Sequence, residues 1–420
     1  MDHVTGLRCL VCGRVYHPKQ IDFVCPEHGT DGIVDIEYDY ELIRSRVTRV
    51  RPGSEPGMWR YRALLPVERD SVPPPLLVGA TPMVAAPRLA ADLGVGQVWV
   101  KDEGRQPTGS LKDRASAMAV VKASEGGTGT ITTASTGNAA AALAGMCAAA
   151  GARAVIFVPR DAPRGKIAQL LAYGASIIAV EGTYDQAFEM SMEAARRTGW
   201  YNRNTGFNPY MSEGKKTAAF EICESLGWNA PDVVTVSVGD GCIIGGLHKG
   251  FRDLLALGWI ERMPRLIGVQ AEGSAYLAEA WRNGEDPLNK PAITPSTIAD
   301  SISAGLPRDR LKAMAAVRET QGAFVTASDD EILEAIPHMA RGSGVFGEPA
   351  AAAAWAGAKQ AGVAGLLERT DRVVVLSTGS GLKDAAAAER AADAVGSRVM
   401  PVPSGSDGLE MAMEALEVNR

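Results

Sequence analysis

Val98-Trp99-Val100-Lys101-Asp102-Glu103-Gly104-Arg105-Gln106-Pro107-Thr108-Gly109-Ser110-Leu111-Lys112-Asp113-Arg114 is the stretch that decides how this chain folds. A run rich in β-formers leads into a Pro/Gly turn, and a helix-like pattern starts at Ser110. Ser110 is the expected N-cap, its hydroxyl accepting from an otherwise unpaired amide of the first turn. Lys112 then falls inside that turn, near the positive end of the helix dipole, where an ammonium is disfavoured and its pKa falls. A lysine that sheds its proton easily is what Schiff-base chemistry needs. A lone lysine at a helix start is more commonly a solvated residue, so its meaning depends on the motifs further along the chain.

Past this helix, strand-like and helix-like runs alternate. Strands are expected over 129–134, 153–159, 176–180, 233–238, 266–270 and 372–377, with helices over 139–150, 164–173, 184–197, 212–226, 243–257, 329–340 and 350–361. Such alternation predicts an α/β protein with open, mostly parallel sheets. Past Pro401, a Pro/Ser/Gly stretch precedes an amphipathic segment over 409–416, expected as a terminal helix.

Three strand-to-helix turns stand out, because ligands of open α/β sheets gather at the carboxyl ends of strands. Ser135-Thr136-Gly137-Asn138 offers hydroxyls and amides to a carboxylate, and Asn138 is placed to donate to a phenolate-like oxygen. Gly239-Asp240-Gly241-Cys242-Ile243-Ile244-Gly245-Gly246 is a phosphate cradle by mechanism, since glycines let the backbone close on an anion. It lacks the Walker and Rossmann spacings, and His248 and Lys249 just beyond it are expected to face solvent. Ser377-Thr378-Gly379-Ser380 offers a neutral hydroxyl to a ring nitrogen. Each turn taken alone also reads as ordinary helix capping.

At the N-terminus, Cys9-Leu10-Val11-Cys12 and Cys25-Pro26-Glu27-His28 have the spacing of a small zinc ribbon. Cys9, Cys12, Cys25 and His28 are the candidate ligands, with His17 a less well-spaced alternative. Four protein ligands leave no open position, so such a site is structural; a ribbon that folds without metal is the other possibility. The remaining cysteines, Cys147, Cys223 and Cys242, are scattered, which is not a disulfide framework. At 420 residues, with 22% charged residues and a net charge of -6, the chain is large enough for two or three domains and carries no basic stripe for nucleic acid. No apolar run is long enough to span a membrane and the first residues lack a signal peptide, so a cytoplasmic protein is expected.

The lysine turn, asparagine turn, glycine loop and terminal hydroxyl turn, in that order, resemble the fold-type II pyridoxal-phosphate enzymes, and most closely the threonine synthase family. Pro107-Thr108-Gly109-Ser110-Leu111-Lys112-Asp113-Arg114 looks like that family's cofactor-lysine motif, with Leu111 where Phe is common. The likeness also covers Trp59-Arg60-Tyr61-Arg62, Glu213-Gly214-Lys215-Lys216-Thr217, Glu348-Pro349 and Gly381-Leu382-Lys383-Asp384. It implies a two-domain, tryptophan-synthase-β-like fold: a zinc-ribbon-like segment over 1–35, a large cofactor domain over 36–120 and 211–400, a small domain over 121–210 inserted in it, and a tail over 401–420. It implies pyridoxal 5'-phosphate carried by Lys112, with Asn138 on the ring oxygen, Gly239, Asp240, Gly241, Cys242 and Ile243 around the phosphate, and Thr378 on the ring nitrogen. Ser135, Thr136, Gly137 and Asn138 would hold an amino-acid substrate, and a homodimer is implied. The freed lysine would serve as general base.

The likeness departs where the family holds its substrate's phosphate. An arginine and a serine common there correspond to Met211 and Gly206, and Lys215 replaces a glutamine. Arg203, Lys215 and Lys216 are the cations that could compensate. The expected reaction is O-phosphohomoserine and water to threonine and phosphate. The alternative is a β-elimination or β-replacement on serine, threonine or phosphoserine, of the dehydratase or cysteate-synthase kind. A non-catalytic ligand-binding scaffold is the third possibility.

Overall fold

Val233-Val234-Thr235-Val236 is a run of β-branched residues, and it lies in the middle of the largest sheet with every residue buried. A strand covered on both faces carries a near-continuous apolar run because neither face meets water. The computed structural model describes residues 1–49, 53–162, 164–397 and 399–417. Its strands are β1 (Val4–Cys9), β2 (Val15–Tyr16), β3 (Val34–Tyr38), β4 (Met83–Ala85), β5 (Gln97–Asp102), β6 (Thr130–Ala134), β7 (Arg153–Pro159), β8 (Ser176–Val180), β9 (Tyr201–Asn202), β10 (Val233–Ser237), β11 (Arg265–Ala271), β12 (Ala323–Ala327) and β13 (Arg372–Ser377).

They form three sheets. The N-terminal one is antiparallel, in the order β2-β1-β3. The six-stranded one runs β12-β11-β10-β13-β5-β4, parallel except for β4, which lies antiparallel on β5. The third, β8-β7-β6-β9, is parallel throughout. Between β10 and β13 the strand order of the large sheet reverses, and ligand crevices open off the carboxyl ends of strands at such points. The glycine loop leaves β10 there, and Thr378 leaves β13 beside it.

The expected alternation holds, with differences at its edges. The two-residue β9 and the half-exposed edge strand β12 carry too little apolar pattern to stand out from their neighbours. The expected helix over 212–226 is two, Tyr210–Lys215 and Thr217–Ser225, joined at Lys216. His248 and Lys249 are buried rather than solvent-facing. The reason is packing against distant segments: Lys249 lies over the ring of Tyr38 and His248 sits beside Glu319, while Asp253, one turn along the same helix, accepts from Lys249 at 2.6 Å. The alanine-rich helix Pro349–Val363 packs on β10, β11, β12 and β13. Small side chains allow that approach; a Cβ on Gly357 would stand 2.1 Å from Cγ2 of Val269.

Beneath the lysine turn lies a closed network of four buried charges. Arg114 donates to both carboxylate oxygens of Glu103, each at 2.8 Å, and to both of Glu221, at 2.8 and 2.7 Å. Lys101 adds a bond to Glu221 at 2.7 Å and another to the carbonyl of Thr81. Two cations balance two carboxylates, and β5, the turn after it, the helix Lys112–Glu125 and the helix Thr217–Ser225 are locked together. Removing one partner leaves buried charge uncompensated, so Glu221→Ala is expected to cost about 3–5 kcal/mol. Urea denaturation checks this through a lower midpoint at an unchanged slope.

Candidate active site

The turn that ends β5 brings Lys112 to the large sheet's carboxyl edge. Gly109 has a φ of +86°, a left-handed conformation that glycine adopts without steric cost. The turn is sewn to the end of β13 by backbone bonds: Leu111 N to the carbonyl of Thr378 and Ser380 N to that of Gly109, both 2.9 Å. This pairing draws Ser110 into a β-bridge with Gly379, and its hydroxyl caps nothing among the described residues. The expected Ser110 cap is therefore corrected. Asp113 secures the turn instead, accepting from the backbone amide of Thr108 at 2.7 Å and from its hydroxyl.

Lys112 is the first residue of its helix, as the sequence implies. Its pKa falls from 10.5 to about 8, with burial the largest cause, the charge of Lys215 next, and Arg203 adding to them against the opposing carboxylate of Glu348. Glu348 is itself pushed up by burial and accepts from Nδ2 of Asn138 at 2.6 Å. That bond fixes which way the Asn138 amide points.

Asn138 opens the helix Asn138–Ala150, and the three residues before it form a half-buried turn in which Gly137 N donates to the Ser135 hydroxyl at 3.2 Å. Asn204 holds this turn from below, its side-chain oxygen accepting from Ala134 N and the Thr133 hydroxyl, both at 2.9 Å. Across the cleft, Gly241 has a φ of +91° and the helix Cys242–Ala256 begins with no side-chain cap, leaving its first amides pointing at the loop. Asp240 takes no part in capping; its backbone carbonyl accepts from Asp309 N at 2.8 Å. Cys242 Sγ accepts from Nζ of Lys215 at 2.5 Å. Thr378 is buried at the end of β13.

These groups meet. One cavity of about 680 Å³ is lined by Lys112, by Ser135, Thr136, Gly137 and Asn138, by Gly239, Asp240, Gly241, Cys242 and Ile243, and by Thr378. The positions that the family likeness assigns to the cofactor and the substrate carboxylate all share it, whereas Gly245, Gly246 and Lys216 do not line it. Tyr184, Asn204 and Arg308 line it too, and nothing in their local sequence marks them. Met211 and Gly206 do not offer a ligand. Met211 is wholly buried in the core, and Gly206, at φ +74°, is closed by Arg308, whose Cβ would lie 2.1 Å from a Cβ there.

Cys9, Cys12, Cys25 and His28 lie apart from the cavity with their ligand atoms all within 4.8 Å of one another, whereas His17 is outside the group. Although burial raises the Cys25 thiol, bonds from Tyr16 and His28 bring it down to about 6, toward the thiolate that binds metal. Among the described residues no helix is long and apolar enough to cross a membrane.

The family model described as pyridoxal-phosphate dependent enzyme matches residues 75–379. Threonine synthase of Methanocaldococcus jannaschii is 39% identical over 92% of this chain and 95% of its own. That of Methanosarcina acetivorans is 38% identical over 90% of this chain and 92% of its own. Among solved structures, a threonine deaminase isoform from Solanum lycopersicum superposes with a TM-score of 0.63 at 22% identity, covering 75% of this chain and 88% of that one. Maize serine racemase gives 0.62 at 21% identity, covering 75% and 92%, and both likenesses speak for the fold alone. An aldehyde-carrying phosphate cofactor fits a cavity that combines a low-pKa lysine, uncapped helix amides and a buried hydroxyl, and the chain belongs to the pyridoxal-phosphate-dependent enzymes, in their threonine synthase family.

Proposed function

We propose that this chain is a lyase converting O-phospho-L-homoserine and water to L-threonine and inorganic phosphate. The observation that carries this is the convergence of four sequence-distant turns, at Lys112, 135–138, 239–243 and Thr378, on one cavity. Similarity to threonine synthases over nine-tenths of the chain supports the choice of reaction.

Pyridoxal phosphate, when bound, supplies an electron sink for the charge left when a proton leaves Cα. The chain's own residues do the rest. Lys112, half neutral near pH 8, takes and returns protons at Nζ. The amides of Gly239, Asp240, Gly241, Cys242 and Ile243 hold the cofactor phosphate at a helix N-terminus. Asn138, oriented by Glu348, donates to the ring oxygen, and Thr378 presents an uncharged hydroxyl to the ring nitrogen. Ser135, Thr136 and Gly137, with Asn138, grip the substrate carboxylate. The large domain over 36–120 and 211–400 and the small one over 121–210 would face each other across the cleft, in keeping with the two parallel sheets. A β-elimination or β-replacement on serine, threonine or phosphoserine is the second reading, favoured by the closure of the Met211 and Gly206 positions.

Zinc held by Cys9, Cys12, Cys25 and His28 belongs to the same proposal, as a structural ion with no open coordination position. A reducing, cytoplasmic location accords with six cysteines free of disulfides. A homodimer rests on the family likeness.

Phosphate and threonine are expected in equal amounts from O-phosphohomoserine, with Lys112→Ala slowing turnover about 1,000-fold or more. Ammonia release from serine or threonine in place of phosphate release would select the second reading. In the apoprotein, an NMR titration of reductively methylated amines is expected to place Lys112 at a midpoint of about 8. Because the folded pKa lies below the ordinary 10.5, the unfolded chain binds more protons in between, so this group's contribution to stability rises with pH from about 8 to 10.5. Metal analysis is expected to find one zinc per chain, lost in Cys25→Ser together with a lower melting temperature.

A further inference from the structure

Besides Lys112, the cavity wall holds two buried cations, Arg203 and Lys215, whose hydrogen-bond partners among the described residues include no carboxylate. Arg203, just past β9 and 1% exposed, donates through Nε to the Ser116 hydroxyl at 3.2 Å and through Nη1 to the Thr205 hydroxyl at 3.1 Å. Its Nη2 has no partner among the described residues. Burial lowers its pKa to about 10, and the groups that oppose the shift are a thiol, a phenol and the hydrogen-bonded Asp113. Lys215, likewise 1% exposed, donates to the Cys242 thiol. A buried charge without a counter-charge is costly, and the fork of an arginine matches phosphate. Two such cations on one cavity call for two anions.

Position separates them. Lys215 bonds the first residue of the helix after the glycine loop, and its Cβ lies 3.0 Å from where a Cβ of Gly246 would stand. It is therefore committed to the loop's own anion. Arg203 precedes Asn204, which supports the Ser135–Asn138 turn, and its own bonds go to Ser116 and Thr205 rather than to the loop. The other cations are already paired. Lys216 bonds Glu213 and Asp253 outside the cavity, and Arg308 faces Asp185 at 3.7 Å and covers the ring of Phe188.

We infer that Arg203 is the specificity-determining residue that binds the substrate's distal phosphate monoester, standing in for the ligands that Met211 and Gly206 do not supply. This rests on the proposed use of a phosphorylated amino acid. The test is made on holoenzyme, comparing the dissociation constants of O-phosphohomoserine and L-homoserine from the change in cofactor absorbance. The wild type is expected to prefer the phosphorylated ligand, and Arg203→Gln to lose about 30-fold or more of that preference while L-homoserine binding stays within about threefold. Arg203→Lys is expected to recover part of it, which also covers a Gln variant that folds poorly. Lys215→Gln is expected to weaken cofactor retention and keep the preference. A preference undiminished in Arg203→Gln, an equal loss for both ligands, or no preference in the wild type overturns the inference. If the wild type shows an Arg203-dependent preference yet forms no threonine, the subsite stands and the proposed reaction falls.

Discussion

The four-charge network around Arg114 is the constraint that the active site rests on. Fully desolvated charges tolerate little displacement, because each lost contact exposes a charge to a medium that cannot solvate it. Arg114 lies two residues after Lys112, and Glu221 lies on the helix that begins just past Lys215. One network thus sets the positions of both lysines that shape the cavity's potential. Lys101 and Glu103 tie the same point to β5 and its turn, so Lys112 is referenced directly to the large sheet.

That positional control matters because the site itself is electrostatically unfinished. Lys112, Arg203 and Lys215 crowd one wall, and their mutual repulsion together with burial lowers the lysine's pKa. The anions proposed to bind there would supply the missing counter-charge. An anion bound beside Lys112 would strengthen its hold on its proton, so its pKa would depend on what the cavity binds as well as on where the lysine sits.

The N-terminal sheet belongs to this arrangement and is not a detached appendage. Tyr38 donates to Glu213 at 2.5 Å and Tyr40 to Asp253 at 2.7 Å, joining β3 and the residues after it to the helices that flank the glycine loop. Asp31, three residues past His28, pairs with Arg310, and Asp35 pairs with Lys312 at 3.2 Å. Arg310 opens the helix whose preceding residue, Asp309, donates to the Asp240 carbonyl. A short chain of polar contacts thus runs from the Cys/His group to the floor of the cavity.

Local signals were enough to establish much of this protein. Unbroken β-branched runs such as 233–236, alanine-rich helices, and glycine and hydroxyl turns between them mark an α/β protein and its strand-to-helix turns, because each depends only on near neighbours in sequence. Lys112, the 135–138 turn, the glycine loop and Thr378 were legible for that reason. What remained hidden depends on partners far along the chain. Ser110 looks like a cap until its backbone is claimed by Gly379, and Lys249 looks solvated until Tyr38 and Tyr40 cover it. Arg203 carried no local mark distinguishing it from Lys216. Only the tertiary structure shows that Lys216 is paired in the core while Arg203 lines the cavity and keeps one buried nitrogen without a partner among the described residues, since the charge a buried cation meets is set by packing and not by its neighbours in sequence.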